Sequence, residues 1–170
     1  MLSVFRESGS EIDVSGKSLI LKCNKRLLRV PTVRSLTYPG FPTDAGPIII
    51  AMLSLARGTT VFVENIFENR FRYIDELKRL GAKIKTEGRI AVIEGVNSLS
   101  GAGCKATDLR GGAAMVIAGL MAEGITEISC PEYIDRGYDN LIGKLNSLGA
   151  QIERREVFNS STPVCVNSRS

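Results

Sequence analysis

The sequence predicts an α/β fold of α+β character, assembled from repeated strand–helix–strand–helix–hairpin (βαβαββ) units, and three observations carry that prediction. A helical pattern, a glycine stop and a strand of alternating character recur at Gly9, Gly81 and Gly149, which lie roughly 70 residues apart, a period suited to one supersecondary unit. A second series interlocks with the first: Arg57-Gly58-Thr59-Thr60 and Glu123-Gly124-Ile125-Thr126 each end an apolar helix and open a strand. Finally, Asp44 and Asp108 each stand at the start of one of those apolar helices, where short polar side chains are favoured.

Taken in order, Val4-Phe5-Arg6-Glu7-Ser8 reads as the end of a helix, and Gly9 as its left-handed stop. Ile12-Asp13-Val14 then turns at Ser15-Gly16 into a strand over 18–22, a hairpin pattern. The run 45–57 is apolar and helical, 74–80 is an amphipathic helix, and Ala82-Lys83-Ile84-Lys85 turns at Glu87-Gly88 into a strand over 89–94. The same order returns with an apolar helix ending near Glu123, an amphipathic helix over 141–148 and a strand from Ala150. The predicted units are 1–28 (only the last half of one), 29–98 and 99–158. A polar tail, 159–170, is expected to be irregular apart from Val164-Cys165-Val166. Half a unit leaves strand edges and an apolar face uncovered, so another polypeptide segment is expected to complete it.

Composition excludes several function classes. With 44% hydrophobic and 24% charged residues, the 170-residue chain can bury a core. Net charge is +4, from 22 Lys+Arg against 18 Asp+Glu, spread along the chain, a weak bias toward anionic ligands. No basic run is interleaved with aromatics, which total 6%, and this argues against nucleic-acid binding. The apolar runs 47–56 and 113–122 are too short to span a bilayer, and residues 1–7 lack signal-peptide organisation; a cytoplasmic location without membrane association is expected. Cys23, Cys104, Cys130 and Cys165 show no Cys-x-x-Cys spacing, so neither a metal site nor a redox motif is predicted. The chain contains no histidine, which leaves Asp, Glu, Lys, Tyr or Cys for any acid–base work.

The most informative stretch is Tyr38-Pro39-Gly40-Phe41-Pro42-Thr43-Asp44. Two prolines restrict the loop, and it ends on a carboxylate where a helix presents unpaired N–H groups. Alone, this loop reads as a helix N-cap; three further segments point to a functional carboxylate instead. They are Phe67-Glu68-Asn69-Arg70-Phe71, Ala106-Thr107-Asp108-Leu109-Arg110 and Ile134-Asp135-Arg136-Gly137-Tyr138.

In these four segments, their order and their spacing, the sequence resembles the enolpyruvyl transferases, in particular the branch acting on UDP-N-acetylglucosamine. The resemblance runs from about Leu2 to Arg155 and matches only the C-terminal part of that family's chain. It implies a partial enolpyruvyl-transferase domain, an inside-out α/β barrel of βαβαββ units. It also implies transfer of enolpyruvate from phosphoenolpyruvate to the sugar 3′-hydroxyl, the committed step of peptidoglycan synthesis, with no cofactor and no metal. By the same resemblance Asp44 is the candidate base and contacts the sugar nucleotide together with Ile66 and Phe67. Asp108 assists proton traffic, Arg110 and Arg136 face phosphoenolpyruvate, and Arg70 stands behind the contact residues. The ordinary readings are a helix cap for Asp108, core for Phe67, and surface ion pairs for Arg70 and Arg136.

Departures are also visible. The family's reactive-cysteine loop and its Lys-Asn pair belong to the other domain and have no counterpart among these residues, and none of the four cysteines inherits that role. Ala45-Gly46-Pro47 stands where the family usually places a larger residue and Gln, and Tyr133 where members often have His. The implied partners are therefore the two substrates and a missing N-terminal domain or an intact homologue. A non-catalytic sugar-nucleotide-binding module and an enzyme of the shikimate 3-phosphate branch are the alternatives; the first two segments argue against the latter.

Overall fold

The computed structural model describes residues 1–155 and 164–167. A first helix, α1 (Leu2–Glu7), leads into the hairpin β1 (Glu11–Ser15) and β2 (Ser18–Lys22). Next come β3 (Thr32–Arg34), a 3-10 turn at Thr43–Ala45, α2 (Gly46–Leu53), β4 (Thr59–Val63), α3 (Ile74–Arg79), β5 (Lys83–Glu87) and β6 (Ile90–Glu94). The last unit carries β7 (Leu99–Ser100), β8 (Gly103–Lys105), α4 (Leu109–Met121), β9 (Ala122–Glu123) and β10 (Ile125–Ser129). It continues through α5 (Glu132–Asp135), α6 (Leu141–Ser147), β11 (Gln151–Arg154) and β12 (Val164–Asn167).

The repeat is explicit in the topology. One four-stranded sheet runs β3-β4-β6-β5 and the other β8-β10-β12-β11, the same spatial order. In each, the first two strands are parallel, with β3 on β4 and β8 on β10. A helix connects each pair, as a parallel crossover requires. The remaining pairings are antiparallel. Helices α1, α3 and α6 are each followed by a glycine at φ +90, +93 and +93, at Gly9, Gly81 and Gly149. A side chain at such a φ would be strained, which is why these stops are glycine.

One element is shorter than the sequence expectation, and another takes a place in the sheet that the sequence did not indicate. The apolar helix expected over 45–57 ends at Leu53. There Ser54 returns its hydroxyl to the Ile50 carbonyl, and Arg57 N turns away to donate to Leu27 O at 2.7 Å. The tail 159–170, expected to be irregular apart from Val164-Cys165-Val166, carries β12 at that exception, and the strand lies between β10 and β11. In the second unit a tight turn joins β5 to β6. Here the two strands are separated by nine positions, so no local hairpin signal marks β12. The expectations for 156–163 and 168–170 lie outside the described residues.

The core forms one cluster in which α2 packs on α4; Ile50, Ala51 and Leu53 of the one and Ala114, Met115 and Ala118 of the other are all essentially inaccessible. Small residues let α4 sit close to its other neighbours, Tyr73 and α5. A Cβ on Gly111 would lie 2.7 Å from the Tyr73 Cβ, and one on Gly112 would lie 2.6 Å from the Ile134 Cγ1. Gly46, at the departure noted above, has the same constraint, since its Cβ would meet the Phe62 ring at 2.9 Å. In contrast, β2 is exposed at every position, and Val14, Leu19, Ile20 and Leu21 are 42–55% accessible. By the repeat, β2 corresponds to β6, whose outer neighbour is β4; among the described residues β2 has only β1 beside it. No helix among the described residues is long and apolar enough to cross a membrane.

Candidate active site

Asp44 is held from three directions. On its own loop, Leu36 N donates to Phe41 O at 2.9 Å, and the buried Phe41 ring packs edge-on against Phe62 at 6.0 Å. This fixes where the chain enters the 3-10 turn at Thr43–Ala45. The N-cap expectation for Asp44 is not met. The residue capping α2 is Ala45, no side chain caps that helix, and the Asp44 carboxylate points to other partners. Arg70 Nη2 donates to its Oδ1 at 2.8 Å and Arg110 Nη2 to its Oδ2 at 2.9 Å.

Each guanidinium lies on an aromatic ring: Arg70 5.5 Å from the Phe67 centroid, Arg110 5.3 Å from that of Tyr138. Such stacking holds a planar cation while leaving some of its donors free. Tyr138 first, and then Asp44, hold the Arg110 guanidinium above its ordinary value against a partial desolvation, so it stays charged. The Asp44 side chain is 52% exposed, which leaves its carboxylate reachable from solvent. All four sequence segments therefore converge on one carboxylate.

Asp108 is the N-cap of α4, accepting from Arg110 N at 3.0 Å and Gly111 N at 2.8 Å through Oδ1. The same cap therefore sets the backbone from which Arg110 reaches Asp44. Thr107 Oγ1 lies 3.3 Å from Oδ2, so the carboxylate is engaged on both oxygens. Arg136 caps the C-terminal end of α5 and is exposed. Its guanidinium has no ion pair with a described residue and no direct contact with Asp44. The neighbouring Gly137 packs against Leu109, to which a Cβ would approach within 2.7 Å; this seats the 134–138 turn on the first turn of α4. Phe67 is 49% exposed rather than core, and Ile66 is half-buried.

Sequence reasoning missed Glu64, which follows β4 directly and is buried. It takes hydrogen bonds from Ser35 and Thr43, and from the backbone of Ile66 and Phe67. Its only local signal was a charge at the end of the apolar strand Val61-Phe62-Val63, and its side-chain partners lie 29 and 21 positions upstream. Beside the 67–71 segment opens a cleft of about 680 Å³ lined by Glu68, Asn69, Phe71, Arg72, Thr86 and Gly88. Among the described residues no cluster of His, Cys, Asp and Glu could hold a metal ion.

Comparison with known proteins places the chain in a family. Residues 1–145 match the family described as EPSP synthase (3-phosphoshikimate 1-carboxyvinyltransferase). The chain is 50% identical over 154 residues to UDP-N-acetylglucosamine 1-carboxyvinyltransferase 2 of Caldanaerobacter subterraneus subsp. tengcongensis, covering 91% of this chain and 37% of that protein. It is 49% identical over 168 residues to a UDP-N-acetylglucosamine 1-carboxyvinyltransferase of Desulfofundulus thermocisternus, covering 99% of this chain and 68% of that one. The chain thus spans little more than a third of the first relative and about two thirds of the second. Among solved structures, the enolpyruvyl transferase NikO from Streptomyces tendae superimposes with a TM-score of 0.79 at 26% identity, over 88% of this chain and 35% of that one. With a matching family over most of its length, relatives at half identity and the same fold, this chain belongs to the enolpyruvyl transferase family.

Proposed function

We propose that the chain supplies the C-terminal part of a site that transfers enolpyruvate from phosphoenolpyruvate to the 3′-hydroxyl of UDP-N-acetylglucosamine in the cytoplasm, the committed step of peptidoglycan synthesis. The observation that carries this reading is the convergence of the four segments on Asp44, with its two guanidinium partners. The relatives at half identity bear the name of that activity.

In this reading Asp44 removes the proton of the attacking hydroxyl as the sugar oxygen bonds to C2 of phosphoenolpyruvate. A proton is delivered to the methylene carbon, and loss of phosphate with a proton from that carbon restores the double bond. A carboxylate held by two cations is a poor base. The incoming phosphate or carboxylate offers Arg110 a bidentate partner; as that arginine turns to the anion, Asp44 is released to accept a proton. Arg136, unpaired among the described residues, meets the same substrate, while Ile66 and Phe67 form the sugar-nucleotide wall and Arg70 retains Asp44. Asp108 acts on proton traffic through its cap on the Arg110 backbone. The rest of the site comes from an N-terminal domain or an intact homologue.

The test is a chimera in which this chain replaces the matching portion of the Caldanaerobacter relative, assayed for phosphate release with phosphoenolpyruvate and either acceptor. Turnover with UDP-N-acetylglucosamine and none with shikimate 3-phosphate is expected. The reverse preference, or binding of the sugar nucleotide with no turnover, would overturn the reading in favour of the sister activity or of a binding module.

A further inference from the structure

Glu64 is the one charged side chain that is buried among the described residues, 1% exposed, and the chemistry above does not use it. Its Oε1 accepts from Ser35 Oγ at 2.6 Å, Ile66 N at 2.8 Å and Phe67 N at 3.2 Å, and its Oε2 accepts from Thr43 Oγ1 at 2.7 Å. Ser35 Oγ itself accepts from Asn65 N at 2.8 Å, which orients its own proton toward Glu64. Desolvation pushes the Glu64 carboxyl up, yet the bonds from Ser35, Thr43, Ile66 and Phe67 outweigh it and hold the group below its ordinary value. An ionised carboxylate is an acceptor only, and here every donor it meets is an N–H or O–H aimed at it.

Oε2 serves Thr43 alone, whereas Oε1 serves the 66–67 turn together with Ser35 just past the end of β3. The bonds to Ile66 and Phe67 alone would be a local turn. The bond to Thr43, 21 positions upstream and adjacent to Asp44, makes the carboxylate a bridge. We propose that Glu64 is a positioning residue that sets Asp44 against the wall formed by Ile66 and Phe67, one oxygen governing sugar-nucleotide binding and the other governing turnover. This rests on the function proposed above. It adds that binding and proton removal are aligned by one buried group that touches neither substrate.

Two variants separate the two arms. Thr43→Val removes only the arm that leads to Asp44, and Glu64→Gln weakens both while keeping side-chain volume. In the ¹⁵N-labelled chain, Thr43→Val is expected to move the Arg70 and Arg110 guanidinium resonances but not the Ile66 and Phe67 amides, whereas Glu64→Gln moves both sets. In the chimera, Thr43→Val lowers kcat about tenfold at unchanged KM for UDP-N-acetylglucosamine. Glu64→Gln lowers kcat and raises that KM, each about tenfold, the scale of a sub-ångström misplacement. Identical effects of the two variants, or unchanged resonances and constants in both, would overturn the proposal. If Glu64→Gln does not fold, Thr43→Val decides the question through its kcat-only effect. If the unsubstituted chimera shows no turnover, the proposed function fails, and the resonance pattern alone decides whether Glu64 aligns the two segments.

Discussion

Asp44→Asn separates what the carboxylate does for the fold from what it does in the reaction. Asp44 contributes no helix cap, so no capping energy is at stake. What the fold loses is its pairing with Arg70 and Arg110, at 2.8 and 2.9 Å from a side chain that is 52% exposed. Ion pairs at such exposure contribute roughly 0.2–1 kcal/mol each. Asparagine keeps an oxygen that accepts from one guanidinium, so the expected cost is about 1 kcal/mol or less. For a chain of this size that is a shift in Tm of about 2–4 °C. Turnover should suffer far more: an amide cannot take the hydroxyl proton, and loss of a general base lowers kcat by roughly 10² to 10⁴, at least ~2.7 kcal/mol in the barrier. The assays are urea unfolding of the chain and phosphate release by the chimera with saturating substrates. Near-parental turnover would refute the assignment of Asp44 as the base. A collapse of stability would show that the ion pairs hold the loop far more strongly than their exposure implies.

Three further outcomes are expected. Arg136→Lys keeps the charge but loses the planar fork, so kcat/KM for phosphoenolpyruvate in the chimera should fall by about 10- to 100-fold, the worth of one charge-assisted bond of roughly 1.5–3 kcal/mol; an unchanged value would make Arg136 a surface residue. Asp108→Ala removes the acceptor for Arg110 N and Gly111 N and should cost about 1–2 kcal/mol in urea unfolding, with Asp108→Asn close to the parent; equal effects of the two would show that charge, not capping, matters there. Burial, and after it Glu76, push the Cys104 thiol up to about 11, so at mildly alkaline pH iodoacetamide should label the exposed Cys23 and spare Cys104 until the protein unfolds; labelling of both at similar rates in the native chain would contradict the packing around Cys104.

The features legible in the sequence are those with local causes. Gly81 ends α3 and the Glu87-Gly88 turn joins β5 to β6 because both depend on a residue and its immediate neighbours. The two four-stranded sheets share an order because the sequence repeats it. Features set by long-range partners were not legible. Arg70 and Arg110 stand 26 and 66 positions from Asp44, so the sequence marked Asp44 as a candidate functional carboxylate without showing which cations pair with it. Glu64 reads as an ordinary charge until Ser35 and Thr43 are folded onto it, and β12 has no turn to announce it. At the candidate site the resemblance located the segments, and the fold showed how they meet: Phe67 and Tyr138 each carry one of the guanidiniums that hold Asp44.

The central claim is that these residues supply part of a catalytic site that another segment completes. It is tested most directly by measuring phosphate release from phosphoenolpyruvate plus UDP-N-acetylglucosamine for the 170-residue chain and the chimera side by side. A site open on one side cannot exclude water or surround the phosphate. The account predicts a silent chain and an active chimera whose turnover is lost with Asp44→Asn. Robust turnover by the chain alone, or a chimera indifferent to Asp44, would contradict it.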